Sequence, residues 1–99
     1  AFMERYIGRI SYMHFKDIDP VVKADVVENA TDFYKACGQG IFCNLGDGDV
    51  DFPCVRQILL DNGFDGWCTV EQDCDPTLGN TDPLADAKAN RSYLASIGF

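Results

Sequence analysis

The sequence is poor in the groups that most often carry chemistry. Among its 99 residues there is one histidine, His14, and only three glutamates, Glu4, Glu28 and Glu71. Positive charge is also scarce: Lys+Arg number 8 against 16 Asp+Glu, for a net charge of −8. That balance excludes nucleic-acid recognition through a basic face and disfavours docking on anionic membranes. No apolar run approaches the roughly 20 residues needed to span a bilayer. The five cysteines, Cys37, Cys43, Cys54, Cys68 and Cys74, are odd in number and lack CxxC spacing, which argues against a disulfide framework and a zinc ribbon. Scattered, mostly apolar-flanked thiols suit a reducing cytosol, the expected location. Four of the five read as small core hydrophobes, with Cys74, just beyond Glu71, the exception.

The N-terminal residues lack the basic and apolar regions of a secretory signal, and no signal peptide is expected. There is no starting methionine. The chain opens on Phe2-Met3-Glu4-Arg5-Tyr6, which has the look of a helix end and reads like a piece cut from something larger.

What is present describes a modest globular chain of one domain at most, 46% hydrophobic and 12% aromatic. At this size only about 60–70% of the unfolded surface is buried, so the core is thin. Residues 1–7 read as the end of an amphipathic helix stopped by Gly8 in a left-handed conformation. Residues 9–15 predict a strand covered on both faces. Asp17-Ile18-Asp19-Pro20 opens a helix, with Asp19 as N-cap and Pro20 at its first position. That helix is expected to run over 20–37 with one apolar stripe through Val22, Val26, Ala30, Phe33 and Cys37.

Residues 41–52 predict a structured loop, tight at Gly46 and Gly48, with a short extended piece at 41–45. Asp51 then caps a helix over 53–62, stopped by Asn62-Gly63. A second strand spans 67–71. A polar loop with Pro76, Gly79 and Asn80 leads to a last helix over 82–97, whose inner face is Leu84, Ala87, Tyr93, Leu94 and Ile97. Alternating β and α elements predict a parallel sheet with right-handed crossovers. Two strands do not make a stable sheet by themselves, so further strands are expected to come from elsewhere.

Chemistry concentrates at the two strand ends, where α/β proteins place functional groups. Ile10-Ser11-Tyr12-Met13-His14-Phe15-Lys16-Asp17 ends in a polar cluster containing the only histidine. Trp67-Cys68-Thr69-Val70-Glu71-Gln72-Asp73 ends on a rare glutamate. With the strands adjacent, His14 and Glu71 project from neighbouring ends. Imidazole plus carboxylate is a ligand pair for a borderline divalent ion such as Mn, Co, Fe or Zn. Catalytic sites use three or more protein donors, so the pair amounts to half a site. A metal-free acid–base pair and a purely structural histidine are the alternatives. No positioning element supports Cys74 as a nucleophile beside His14. The Gly46-Asp47-Gly48-Asp49 turn lacks the Lys-Ser/Thr of a phosphate cradle and the closing Glu of a calcium loop, and solvated acidic turns account for most of its aspartates.

The motifs His14-Phe15-Lys16-Asp17, Gly46-Asp47-Gly48-Asp49-Val50-Asp51-Phe52-Pro53, Gly63-Phe64-Asp65-Gly66-Trp67 and Val70-Glu71-Gln72-Asp73 resemble the C-terminal part of the xylose isomerase-like TIM-barrel superfamily. They are most similar to its sugar isomerase/epimerase and inosose dehydratase group, whose final helix resembles Asn90 to Gly98. The resemblance implies an α/β fold: the last two βα units of a (β/α)8 barrel, with residues 1–99 the incomplete C-terminal portion of a single domain. It implies a divalent metal (Mn, Co, Mg or Zn) held by Glu, Asp, His and Glu, of which His14 and Glu71 are the last two ligands. Glu71 would share the catalytic base role, and Lys16 would bind the substrate, a sugar or inositol derivative. The reaction implied is metal-assisted enolisation leading to isomerisation, epimerisation or dehydration. Ketose epimerases carry Gly-Glu and then Arg after the histidine; Lys16-Asp17 departs from that pattern and favours the dehydratase-like branch. The competing expectation is a non-catalytic binding or assembly module, with His14 and Glu71 structural and a homo-oligomer formed through exposed strand edges.

Overall fold

The computed structural model describes residues 2–79 and 81–99. Ala1, the first position of the helix expected over 1–7, and Asn80, in the expected polar loop, lie outside the described residues. The order of elements is α1 (Phe2–Tyr6), a 3-10 turn (Ile7–Arg9), β1 (Tyr12–Phe15), β2 (Asp17–Ile18), α2 (Pro20–Glu28), α3 (Phe33–Gly38), β3 (Phe42–Cys43), α4 (Phe52–Asp61), β4 (Trp67–Val70) and α5 (Pro83–Ser96).

The two apolar runs pair as expected. β1 lies parallel to β4 with Tyr12 opposite Trp67, Met13 opposite Cys68, His14 opposite Thr69 and Phe15 opposite Val70. Successive side chains alternate across a strand. Met13, Phe15, Cys68 and Val70 turn to the core, where Phe15, Leu45, Phe52, Leu59 and Leu94 form the buried cluster. Phe15 meets Phe52 and Phe99 edge-on, at ring-centre distances of 5.4 and 5.2 Å. Burying one such ring contributes about 2–3 kcal/mol. The other face departs from the expectation of cover on both sides. Among the described residues nothing encloses it, and Tyr12 and Trp67 are 63% and 84% exposed.

Aspartate caps start the helices. Asp19, Asp32, Asp51 and Asp82 each accept a backbone N–H of the first turn, and prolines follow at Pro20, Pro53 and Pro83. At the far end of α4, Gly63 takes a φ of +61°, and the Phe64 and Gly63 amides close on the Leu59 and Leu60 carbonyls. This is a glycine-terminated Schellman turn, as the Asn62-Gly63 pair predicts.

The helix expected over 20–37 is instead two helices. α2 stops because the Asn29 side chain donates to the Asp25 carbonyl oxygen and to the Asp25 carboxylate. Thr31 N–H then reaches back to the Val26 carbonyl, with Ala30 left-handed at φ +48°. Asp32 restarts the chain as the cap of α3. The predicted stripe is therefore discontinuous: Ala30 and Phe33 are exposed and α2 buries no residue. Two smaller corrections follow. Gly8 is not left-handed, because the chain runs on from α1 into the 3-10 turn, closed by Ile10 N–H on the Ile7 carbonyl. On α5 the inner face holds Leu94, with Tyr93 and Ile97 against the core, but Leu84 and Ala87, nearer its start, are exposed.

Asp17 is neither a helix start nor part of an exposed polar cluster. It lies in β2, which pairs antiparallel with β3, and is 1% exposed. Its carboxylate accepts the backbone N–H groups of Ile18, Gly46, Gly48 and Val50 at 2.9–3.2 Å. This one side chain shapes the whole 46–50 turn. Gly48 is required beside it, because a Cβ there would fall 2.3 Å from Asp17 Oδ1. Asn90 of α5, also buried, accepts from Leu45 N–H and donates to Gln72 Oε1, tying the last helix to β3's loop and to the segment after β4.

Candidate active site at the paired strand ends

The exposed sheet face continues past both strand ends. Lys16 follows His14 by two residues, and Glu71 follows Thr69 by two. The Glu71 N–H donates to the Phe15 carbonyl at 2.9 Å, which extends the β1–β4 ladder one residue further. Side chains two apart share a face, so Tyr12, His14 and Lys16 stand beside Trp67, Thr69 and Glu71. The aromatic pair lies at the start of the strands and the charged groups at their ends.

The charged groups converge. His14 Nδ1 and Glu71 Oε2 share a hydrogen bond. Lys16 Nζ donates to Glu71 Oε1 at 2.6 Å and to Asp73 Oδ2 at 2.7 Å. The same ammonium sits over the Phe42 ring, 4.4 Å from its centre. The hydrogen bond from Lys16, and then that from His14, hold the Glu71 carboxyl below its ordinary pKa. At Lys16 burial works to lower the pKa, but hydrogen bonds to Asp73 and Glu71 outweigh it and the ammonium ends above its ordinary value. Both groups are thus ionised at neutral pH. His14 remains half exposed and Lys16 about a quarter exposed, so the cluster is open to a ligand. A cavity of about 320 Å³ lined by His14, Lys16, Val50 and Phe52 lies on one side. A second, of about 290 Å³, is lined by Phe33, Tyr34, Cys37, Asp73, Cys74 and Asp75.

Of the residues expected to act, His14, Lys16 and Glu71 are brought together. Cys74, given no nucleophilic role from the sequence, lines the second cavity, while His14 lines the first. All five cysteines are free, and the exposed one is Cys54 rather than Cys74. Asp73 joins the cluster without having been assigned a role from the sequence. No signal in the sequence marked it, because its partner Lys16 lies 57 residues away.

An imidazole nitrogen and a carboxylate oxygen in contact are suitable donors for a divalent ion. Among the described residues no group of three or more His, Cys, Asp and Glu gathers as a metal site. His14 and Glu71 therefore fit such an ion as two donors and do not complete its shell.

The chain is similar in sequence to known proteins. Curated relatives include inosose dehydratases of Clostridium botulinum (strain Eklund 17B / Type B), 35% identical over 92 residues, and Clostridium tetani (strain Massachusetts / E88), 39% identical over 92 residues; both alignments cover 93% of this chain and 30% of the relative. The inosose dehydratase of Serratia proteamaculans (strain 568) is 37% identical over 94 residues, covering 95% of this chain and 31% of the relative. The chain thus spans about 30% of the length of the curated relatives it matches. The family described as xylose isomerase-like TIM barrel matches residues 1–97. With that match and the parallel pairing of β1 and β4, the chain belongs to the xylose isomerase-like TIM barrel family.

Proposed function

We propose that residues 1–99 are the C-terminal portion of one barrel domain of a divalent-metal-dependent enzyme. That enzyme acts on a sugar or inositol derivative by enolisation, in the manner of an inosose dehydratase. The observation that carries this reading is the convergence of His14, Glu71 and Lys16 at the C-terminal ends of two paired parallel strands. Barrel enzymes build their sites at that end.

His14 and Glu71 would hold the ion (Mn, Co, Mg or Zn), with the remaining donors from residues outside this chain. When bound, such an ion supplies Lewis acidity that polarises a carbonyl and acidifies the neighbouring C–H. Lys16 donates a hydrogen bond to a substrate oxygen, fixing the carbonyl end of the molecule. A carboxylate, Glu71 or one outside these residues, takes the proton from the adjacent carbon. Loss of the β-hydroxyl as water then leaves a carbon–carbon double bond. Return of the proton to the neighbouring position gives isomerisation instead. Lys16-Asp17 after the histidine favours the dehydratase outcome. The 99 residues alone are inactive in this reading, because two donors bind an ion weakly.

The setting is a cytoplasmic, sugar- or inositol-catabolic enzyme. Among the described residues no helix is long and apolar enough to cross a membrane. Turnover of a 2-keto-inositol by the full-length protein tests the reading. Activity lost on chelation and restored by Mn or Co supports it, and metal-independent turnover contradicts it. A second reading, an assembly module that pairs through sheet edges, draws on the β1–β4 sheet, whose outer edges pair with no further strand among the described residues.

A further inference from the structure

We propose that Asp73 is the positioning residue for Lys16, holding its ammonium on the substrate side of the His14–Glu71 pair. A lysine stem is long and flexible, and its charge goes where its partners hold it. Here three groups do so: Glu71 Oε1 at 2.6 Å, Asp73 Oδ2 at 2.7 Å and the Phe42 ring at 4.4 Å. Their duties differ. Glu71 is divided, one oxygen on His14 and the other on Lys16. On the reading of the site given above, Glu71 is also committed to a dication, whose charge repels a neighbouring ammonium. Asp73 is the carboxylate left over. It shares no hydrogen bond or ion pair with His14, and its anion offsets that repulsion. Charge-assisted hydrogen bonds of this length are the strong kind.

Its position fits the task. Asp73 stands two residues beyond Glu71, its side chain is 41% exposed, and it lines the cavity of about 290 Å³ beside Phe33, Tyr34 and Cys37. It therefore touches both the lysine and open space on the far side of it. Asp73 acts through Lys16 and is not itself assigned contact with the reacting atoms.

The test compares the full-length, Mn-loaded enzyme with its Asp73→Asn, Asp73→Glu, Lys16→Met and Lys16→Met/Asp73→Asn variants, using a 2-keto-inositol as substrate. Asp73→Asn is expected to lower kcat/KM about tenfold or more. Mn affinity, measured separately by calorimetry, is expected to stay near the wild-type value, and Asp73→Glu to recover part of the loss. Once Lys16 is methionine, Asp73→Asn should cost no more than about a further twofold. Wild-type turnover in Asp73→Asn, full additivity with Lys16→Met, loss of Mn affinity in step with activity, or failure of Asp73→Asn to fold would each overturn the proposal. A wild-type enzyme with no turnover sinks the reading of the site itself, which separates the two failures.

Discussion

The backbone of Glu71 is bonded to the backbone of Phe15, N–H to carbonyl at 2.9 Å, one rung beyond the last pair of the β1–β4 ladder. That rung sets the site. It fixes the phase of the chain after β4, so Glu71 keeps to the face that carries His14 and Lys16. Phe15 meanwhile packs its ring on Phe52 and Phe99 behind the sheet. Core packing and site geometry thus meet at one peptide.

The buried Asp17 carboxylate is predicted to be among the most sensitive positions in the chain. Asp17→Ala strands four backbone N–H groups, and should cost about 3 kcal/mol or more in urea unfolding. Gly48→Ala should be destabilising for the complementary reason, since its new Cβ meets both Asp17 Oδ1 and the Ile18 carbonyl. Wild-type midpoints for both variants would contradict the role given to this turn.

Ala30 offers a change in the opposite direction. It holds the left-handed position of the turn after α2, at φ +48°. A Cβ costs roughly 1 kcal/mol there that glycine does not pay. Ala30→Gly should therefore raise stability by about 0.5–1 kcal/mol in denaturant titration, where a glycine on an ordinary exposed surface would lower it.

Cys43 provides the pH-dependent test. Burial first, and then the Asp17 charge, push its thiol from 9.0 up to about 11. Its alkylation by iodoacetamide should rise with a midpoint near pH 11 instead of 9. Exposed Cys54 should be labelled before it. The same shift makes a stability prediction. The fold favours the neutral thiol, so this contribution is fully present below pH 9 and is lost as pH rises through 11. Peptide mapping after timed alkylation reads the order of labelling directly.

Trp67 reports on the uncovered sheet face. At 84% exposure, its fluorescence in the 99-residue chain should be quenched by acrylamide nearly as efficiently as that of a free tryptophan analogue. Protection that grows with protein concentration would instead show copies associating through this face.

Much of this architecture was legible in the sequence because the signals were local and redundant. Asp19-Pro20, Asp51 with Pro53 and Asp82-Pro83 combine an N-cap with an early proline, and each starts a helix. His14 and Glu71 were legible because each closes an apolar run, and parallel pairing makes such ends neighbours. Asp17, Asn90 and Asp73 were not. Apart from Ile18 beside Asp17, the partners of Asp17 lie 29–33 residues away, those of Asn90 18 and 45, and Lys16 lies 57 from Asp73, so no periodicity marks them. Among 16 acidic residues, nothing in composition separates the buried aspartate from its solvated neighbours. The break at residues 29–32 was hidden for a related reason. The apolar positions keep helical spacing across it, while the Asn29–Asp25 bonds and the Asp32 cap override that rhythm.

The central claim is that His14 and Glu71 are two of the donors to one divalent ion. The most direct measurement is calorimetric titration of Mn into the full-length protein, as wild type and with His14→Ala. The account predicts stoichiometric binding by the wild type, weakened about a hundredfold or more by His14→Ala. Equal Mn affinity in the two proteins would contradict it.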